Sequence, residues 1–365
     1  MSSAIIDRGM DHGFHDPWPV LFRFVLDSVG EGFLSYDFDS MRSGWHNDDV
    51  RALQRTLTPG RRSGAFIAAS LFTPPGLLLS LPTRNIKSLK EVSRQLRTIS
   101  SQILNSAKSM NDLNDPAPED LLRSLVAKGD LNDEEAIETI LTFLTAGIET
   151  TSAALTWTLH LLTLPECIKY QDELRRELHH KFFDIESRAV NLGDLESIPI
   201  LHGIIEESLR LFPPIPLLCH EAYKDTKMMG RSIPRGTRIL YCMWALNRNP
   251  NYWGSDADAI NPYRWISTDE HGTHRLNKHG GASSNYCYES FLNGPRACVG
   301  KDASKATMRA AIAKLVSNFE ISRDANDGLD LETRGAVIMR PVKGLKLKFS
   351  RVQRENNIPA GEVGR

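Results

Sequence analysis

The 365-residue sequence predicts a mainly α-helical chain with small β-sheets at its periphery. Three observations carry that reading. Residues 132–164 place Ile137, Ile140, Leu141, Leu144, Ile148, Leu155, Leu159 and Leu162 around much of a helical circumference, which describes a helix buried through the centre of the molecule. Ile86, Leu89, Val92, Leu96, Ile99 and Ile103 recur at three and four residues, an amphipathic helix with a basic outer face. Strand signals are short and confined to the second half. Ile233-Pro234-Arg235-Gly236-Thr237 reads as a hairpin turn with strands on either side, and the alternations at 335–339 and 345–349 read as a terminal hairpin whose lysines protect an edge.

Composition bounds the function. Hydrophobic residues make up 41% and charged residues 24%, the signature of a globular chain long enough to bury a substantial core. A net charge of -1 gives no electrostatic reason to expect a nucleic-acid partner. The five cysteines, at 167, 219, 242, 287 and 298, are odd in number and contain no CxxC pair, so they describe neither a disulfide framework nor a structural zinc site and fit a reducing compartment. Asp, His and Pro interrupt the apolar residues of the first thirty positions, and no later run reaches 18 apolar residues; neither a signal peptide nor a membrane span is expected.

In chain order, residues 1–44 assign little beyond weak helical periodicity at 20–29 and a turn-rich Gly-Glu-Gly segment at 30–32. A short helix is expected at 47–57, broken by a basic turn at 60–64. The apolar stretch 65–81 is interrupted by Pro74-Pro75-Gly76; its Leu77-Leu78-Leu79 either dips into a membrane surface, a peripheral contact, or packs as a loop between helices. A polar linker at 111–118 and a short helix at 119–126 follow, ended by Gly129. Asn132 can cap the central helix with Glu135 at the reciprocal position, Asp133 and Glu134 favour its positive end, and Pro165 stops it. A charged surface helix at 168–183, a turn-rich segment at 184–199, helices at 200–212 and 303–319, and a disordered tail at 351–365 complete the pattern.

The chemistry centres on residues 291–300, where Cys298 lies between glycines and just before a helix. Gly294 and Pro295 force a tight turn, and Gly300 allows close backbone approach. The positive end of a helix and its free N–H groups favour a thiolate, the ligand soft iron needs. With Arg296 to neutralise an anionic edge and Phe291 to cover one face, the loop suits a flat, iron-centred, carboxylate-bearing macrocycle better than a bare ion. A lone cysteine is more often a small buried hydrophobe. The whole pattern F-x-x-G-x-R-x-C-x-G, however, arises by chance on the order of once in ten thousand chains of this composition. It resembles the haem-binding loop of the cytochrome P-450 family, which carries Phe, Gly, Arg, Cys and Gly where this chain has Phe291, Gly294, Arg296, Cys298 and Gly300.

Inside the buried helix, Ala146-Gly147-Ile148-Glu149-Thr150-Thr151 is an odd place for a glycine, a carboxylate and two hydroxyls. Gly147 costs roughly 1 kcal/mol against alanine, and a buried Glu149 costs more unless paired. Gly147 leaves room for something flat, and Thr150 can open the helix by bonding back to a carbonyl. Glu149 and Thr150 can flank one groove as a proton path, Thr150 steadying bound oxygen and Glu149 relaying protons from water. The same six residues match the distal-helix pattern of the cytochrome P-450 family, (A/G)-G-x-(D/E)-T-(T/S), in full. Glu207-Ser208-Leu209-Arg210, a common motif by itself, is followed by Pro213-Pro214 and later by Asn261-Pro262-Tyr263-Arg264-Trp265, and together these resemble the family's ExxR helix and meander arginine. Glu207, Arg210 and Arg264 would then form a structural network, valuable for fold specificity more than for net stability.

The resemblance covers 27–352. It implies a cytochrome P-450-like fold lacking its N-terminal part, with 1–44 poorly assigned, a haem-thiolate catalytic domain over 45–350, and the tail beyond. It implies haem b axially ligated by Cys298, with Phe291, Gly294, Arg296, Gly300, Gly147 and His220 near the cofactor, His220 standing where relatives often hold an arginine to a haem propionate. Phe143, Ala146, Pro216, Leu217, Leu218 and Val337 would face the substrate, an apolar secondary metabolite or lipid. The implied activity is monooxygenation, with Cys298 donating electron density to iron and electrons coming from an NADPH-dependent reductase. The compartment would be cytoplasmic, or the endoplasmic reticulum surface. Counterparts of the family's membrane anchor, first strands and helix bearing Trp and Arg are not found. The chain therefore reads as a shortened form of a working enzyme or, alternatively, as an inactive, haem-free remnant acting at most as a binding protein. A haem-thiolate isomerase or peroxygenase is a further alternative, against which the intact Glu149-Thr150 pair argues.

Overall fold

The computed structural model describes residues 13–43, 53, 73, 75–80, 83–112, 121–182, 191–271, 274–284, 286–324, 331, 333–334, 338–341 and 343–352. Six longer helices and five small sheets carry the site. Helix α1 spans Trp18–Phe33, α2 Arg84–Asp112, α3 Asp133–Leu162, α4 Ile168–Lys181, α5 Pro199–Leu211 and α6 Lys301–Asn318.

Helix α3 is the centre, because its sequence starts it cleanly and its second half leaves almost nothing polar to face water. Asn132 Oδ1 accepts from the Glu135 amide at 3.0 Å while Glu135 Oε2 accepts from the Asn132 amide at 2.9 Å, a reciprocal cap that contributes about 1 kcal/mol. Along 148–162 every residue except Thr150 is buried. Helices α1, α2, α5 and α6 all pack against it, and α4 packs outside α5 and α6.

Helix α1 buries Leu21, Phe22, Val25, Leu26 and Val29 against α3. The turn expected at residues 30–32 is instead part of this helix. Gly30 is needed there because a Cβ would stand 2.3 Å from the Tyr36 carbonyl oxygen, where the chain folds back over the helix end. Tertiary approach, not a turn, explains that glycine.

The sheets are all two-stranded and antiparallel: β1 Leu217–Glu221 with β4 Arg238–Cys242, β2 Thr226–Met228 with β3 Arg231–Ile233, β5 Ile266–Thr268 with β6 His274–Leu276, β8 Thr333–Arg334 with β9 Arg340–Pro341, and β7 Phe319–Arg323 with β10 Leu347–Arg351. Strands do flank the Pro234-Arg235-Gly236 turn, but β3 and β4 do not pair with each other. Ala222 interposes, taking the Gly236 amide and giving its own to Thr237, so β4 zips back along β1. The terminal hairpin is likewise corrected. Strand β10 pairs with β7, because Phe319 and Ile321 bury the same face as Leu347 and Phe349, with the two Phe rings edge to face at 6.0 Å.

Residues 192–196, expected as turn, form a short helix with its own cap between Asn191 and Asp194. Pro75–Ser80 is helical with Leu77 and Leu79 exposed. Most of the 47–57 helix, the basic turn at 60–64, much of 65–81, most of the linker and the tail from 353 lie outside the described residues. No helix among the described residues is long and apolar enough to cross a membrane.

Candidate active site

A 3-10 turn at Gly294–Arg296 leads into the cysteine, with Gly294 at φ +74°, a conformation that favours glycine. The Cys298 amide donates to the Phe291 carbonyl at 2.9 Å and closes the loop. Helix α6 starts three residues later, its Gly300 carbonyl accepting from Ser304 at 2.8 Å. The thiol thus stands exposed at a helix N-terminus, beside exposed Arg296 and an 86% exposed Val299. It does not resemble the buried cysteines: Cys167 lies in the core, where burial pushes its thiol up to about 12 and keeps it inert.

Helix α3 carries the second group of candidate residues. Thr150 is half-buried, and its hydroxyl donates to the Ala146 carbonyl at 2.6 Å. Ser152, Thr156 and Thr158 bond back in the same manner, so this habit runs along the helix. Glu149 is 8% exposed, and burial pushes its carboxyl up to about 7, against a partial pull downward from Arg340. Ala146 is exposed, and Phe143 stacks on Phe33 of α1 at 6.1 Å. Gly147 looks toward α1: a Cβ there would meet Val29 at 3.4 Å.

One contact links the two groups. Thr151 Oγ1 and Ser304 Oγ share a hydrogen bond of 3.0 Å, linking the residue after Thr150 to the first turn after the cysteine loop. Thr151 closes the distal-helix motif, but Ser304 does not stand out in the sequence, since single hydroxyls on helices are common.

Behind the cysteine loop, α5 holds Glu207 and Arg210, both fully buried and joined by two bonds of 2.8 Å. Glu207 also accepts from the Asn261 amide at 2.8 Å and the Trp265 indole at 3.0 Å, and Arg264 Nε lies 3.6 Å away. Arg264 is held chiefly by the Asp256 carbonyl at 2.8 Å and the Asp256 carboxylate. Arg210 donates to the carbonyls of Asn247, Ala257 and Ala259. The motif pointed to three charges; Trp265 and the Asn261 amide lie in the quoted stretch around Arg264, but the pattern gave no sign that they complete the satisfaction of Glu207. Four donors around one carboxylate are what a buried charge requires.

Pro216 and Leu218 are half-buried, while Leu217, at 42%, and His220 are exposed on the β1–β4 ribbon. Val337 lies outside the described residues.

The sequence model for Cytochrome P-450 matches residues 8–349. The chain belongs to the cytochrome P-450 family. It is 33% identical over 327 residues to cytochrome P-450 monooxygenase ptmK of Penicillium ochrochloron, covering 90% of this chain and 63% of that protein. It is 30% identical over 336 residues to cytochrome P-450 monooxygenase sphH of Aspergillus fumigatus, covering 91% and 60%. The chain thus spans about three fifths of the length of these curated relatives. The fold agrees with the crystal structure of the cytochrome P-450DA heme domain at a TM-score of 0.74, with 19% identity, over 96% of this chain and 70% of that one. Membership in the P-450 family implies haem held by a cysteine thiolate. The residues present fit that group: an exposed thiol at a helix N-terminus, with a guanidinium beside it and the α3 hydroxyls tied to the same helix.

Proposed function

We propose that this chain is a haem-thiolate monooxygenase in which Cys298 would hold the iron of haem b and α3 would supply the groups that handle protons. The observation that carries the reading is the Thr151–Ser304 hydrogen bond, which ties the helix turn bearing the Glu149-Thr150 pair to the helix that follows the cysteine turn and so supports a shared site.

Each residue then has a task. Cys298, on the turn just before α6, would hold the iron, and Arg296 would offer its guanidinium to a carboxylate at the cofactor's edge. When bound, haem supplies dioxygen activation and the insertion of one oxygen atom into an apolar substrate. Thr150, having given its hydrogen to the Ala146 carbonyl, presents an oxygen that accepts a hydrogen bond from a water or substrate oxygen. Glu149, with its carboxyl near neutrality, can both hold and release a proton at working pH. Ala146, Phe143, Pro216, Leu217 and Leu218 offer an apolar wall, which supports a lipid or other apolar metabolite as substrate. Electrons come from an NADPH-dependent reductase, in keeping with relatives named as monooxygenases.

The test supplies the full chain, loaded with haem, with NADPH, a P-450 reductase and isotopically heavy dioxygen, and offers a panel of fatty acids and terpenoids. Products carrying one heavy oxygen atom, absent with Cys298→Ala, are expected. Oxidised product formed equally by Cys298→Ala, or lacking the heavy atom, overturns the proposal.

A further inference from the structure

Glu206 is the neighbour of Glu207 on α5, so its side chain leaves the helix about 100° away and meets different partners. It is 2% exposed. Its carboxylate makes a close ion pair with Lys305 Nζ and accepts from the Tyr288 hydroxyl at 2.7 Å, while His202 Nδ1 lies 3.8 Å away on the preceding turn of α5. Lys305 is itself buried, in the early part of α6, and its ammonium lies over the Phe291 ring at 5.3 Å. The Phe291 carbonyl in turn holds the Cys298 amide. A single carboxylate therefore grips the chain on both sides of the cysteine turn: before it through Tyr288, and after it through Lys305.

Such a cluster needs a reason. Burial is the largest influence on the Glu206 carboxyl and pushes it up, but Lys305, His202 and the Tyr288 hydroxyl together outweigh it and hold the carboxyl below the ordinary carboxylate value. Burial dominates for Lys305 and lowers it. Buried pairs of this kind return little net stability, and an apolar side chain in place of Lys305 would fill the same space. What the pair does supply is a fixed register between α5, the cysteine loop and α6.

We propose that Glu206 and Lys305 form a positioning clamp that sets the Cys298 turn for thiolate ligation, an inference that rests on Cys298 being the haem ligand. The pair touches neither the thiol nor the reacting side of the site. Its effect is on where the thiol stands.

The test uses the full chain titrated with iron protoporphyrin IX and read by its reduced carbon-monoxide difference spectrum, with far-UV circular dichroism to verify folding. Wild type should give a red-shifted Soret peak that Cys298→Ala abolishes. Lys305→Met should lose much of that peak to the unshifted form and bind haem about tenfold more weakly, as expected when an outer-shell support is removed. Lys305→Arg should restore most of both. The double variant Glu206→Gln/Lys305→Met leaves no unpaired charge and should fold while still lacking the full shifted peak, which a merely structural role would not produce. A folded double variant with wild-type spectrum and haem affinity overturns the clamp. A wild-type chain without the shifted peak, or a Cys298→Ala variant that keeps it, instead overturns the ligand assignment and the clamp with it.

Discussion

Thr151 and Ser304 touch hydroxyl to hydroxyl at 3.0 Å although 153 residues separate them along the chain. One follows Thr150 on the central helix, and the other sits in the first turn after the cysteine loop. Through that bond the helix turn that carries Glu149 and Thr150 is tied to the first turn of the helix that follows Cys298.

Thr151→Val and Ser304→Ala should each cost about 1 kcal/mol, because each leaves a part-buried hydroxyl or its space without a partner. Combined, they should cost clearly less than the sum of the two. Urea unfolding of the four chains of the cycle checks this; strict additivity would mean that the two hydroxyls are not coupled.

Glu149 should leave a signature in the dependence of stability on pH. The folded carboxyl titrates at about 7 against an ordinary 4.5, so between those values the folded chain holds the proton more tightly than the unfolded chain. The stabilising contribution is therefore complete below pH 4.5 and is lost as pH rises to about 7. Relative to Glu149→Gln, the melting midpoint of the wild type should fall across that window and then run parallel. His160, pushed down to about 3 by burial and Arg323, works in the opposite sense, so only the difference between the two chains isolates Glu149. Parallel curves throughout would contradict the raised carboxyl.

The Glu207 network should respond in a graded way. Glu207→Gln strands the Arg210 guanidinium, which is 0% exposed, and should cost about 3–5 kcal/mol, a large part of a domain's stability. Trp265→Phe removes one donor and some packing and should cost roughly 2 kcal/mol. Thermal unfolding of both variants tests the order; equal effects would mean that charge is not what the site protects.

Gly203 lets α5 lie against the Pro262 backbone, where an added Cβ would stand 2.4 Å from the carbonyl oxygen. Gly203→Ala should destabilise by about 1–3 kcal/mol. Gly32→Ala, with open space around it on α1, should instead gain up to about 1 kcal/mol. Calorimetric midpoints moving in the same direction would contradict the assigned packing.

The sequence showed whatever follows local rules. The Asn132 cap, the length of α3, the turn before Cys298 and the start of α6 each depend on neighbours within a few residues. Alternation at 345–349 marked a strand that the fold places two residues later, at Leu347–Arg351, but could not say that β7 was its partner, since a pattern reports a face and not a pairing. Gly30 looked like a turn because nothing local reveals that Tyr36 crosses over it. Glu206 went unseen beside Glu207, because its partners Tyr288 and Lys305 are brought to it only by the fold.

The most direct measurement is the reduced carbon-monoxide difference spectrum of the full chain reconstituted with haem, beside Cys298→Ala. A red-shifted Soret peak in the wild type that vanishes in the variant is the expected result. No bound haem, or a peak that survives the substitution, would contradict the assignment of Cys298 as the ligand.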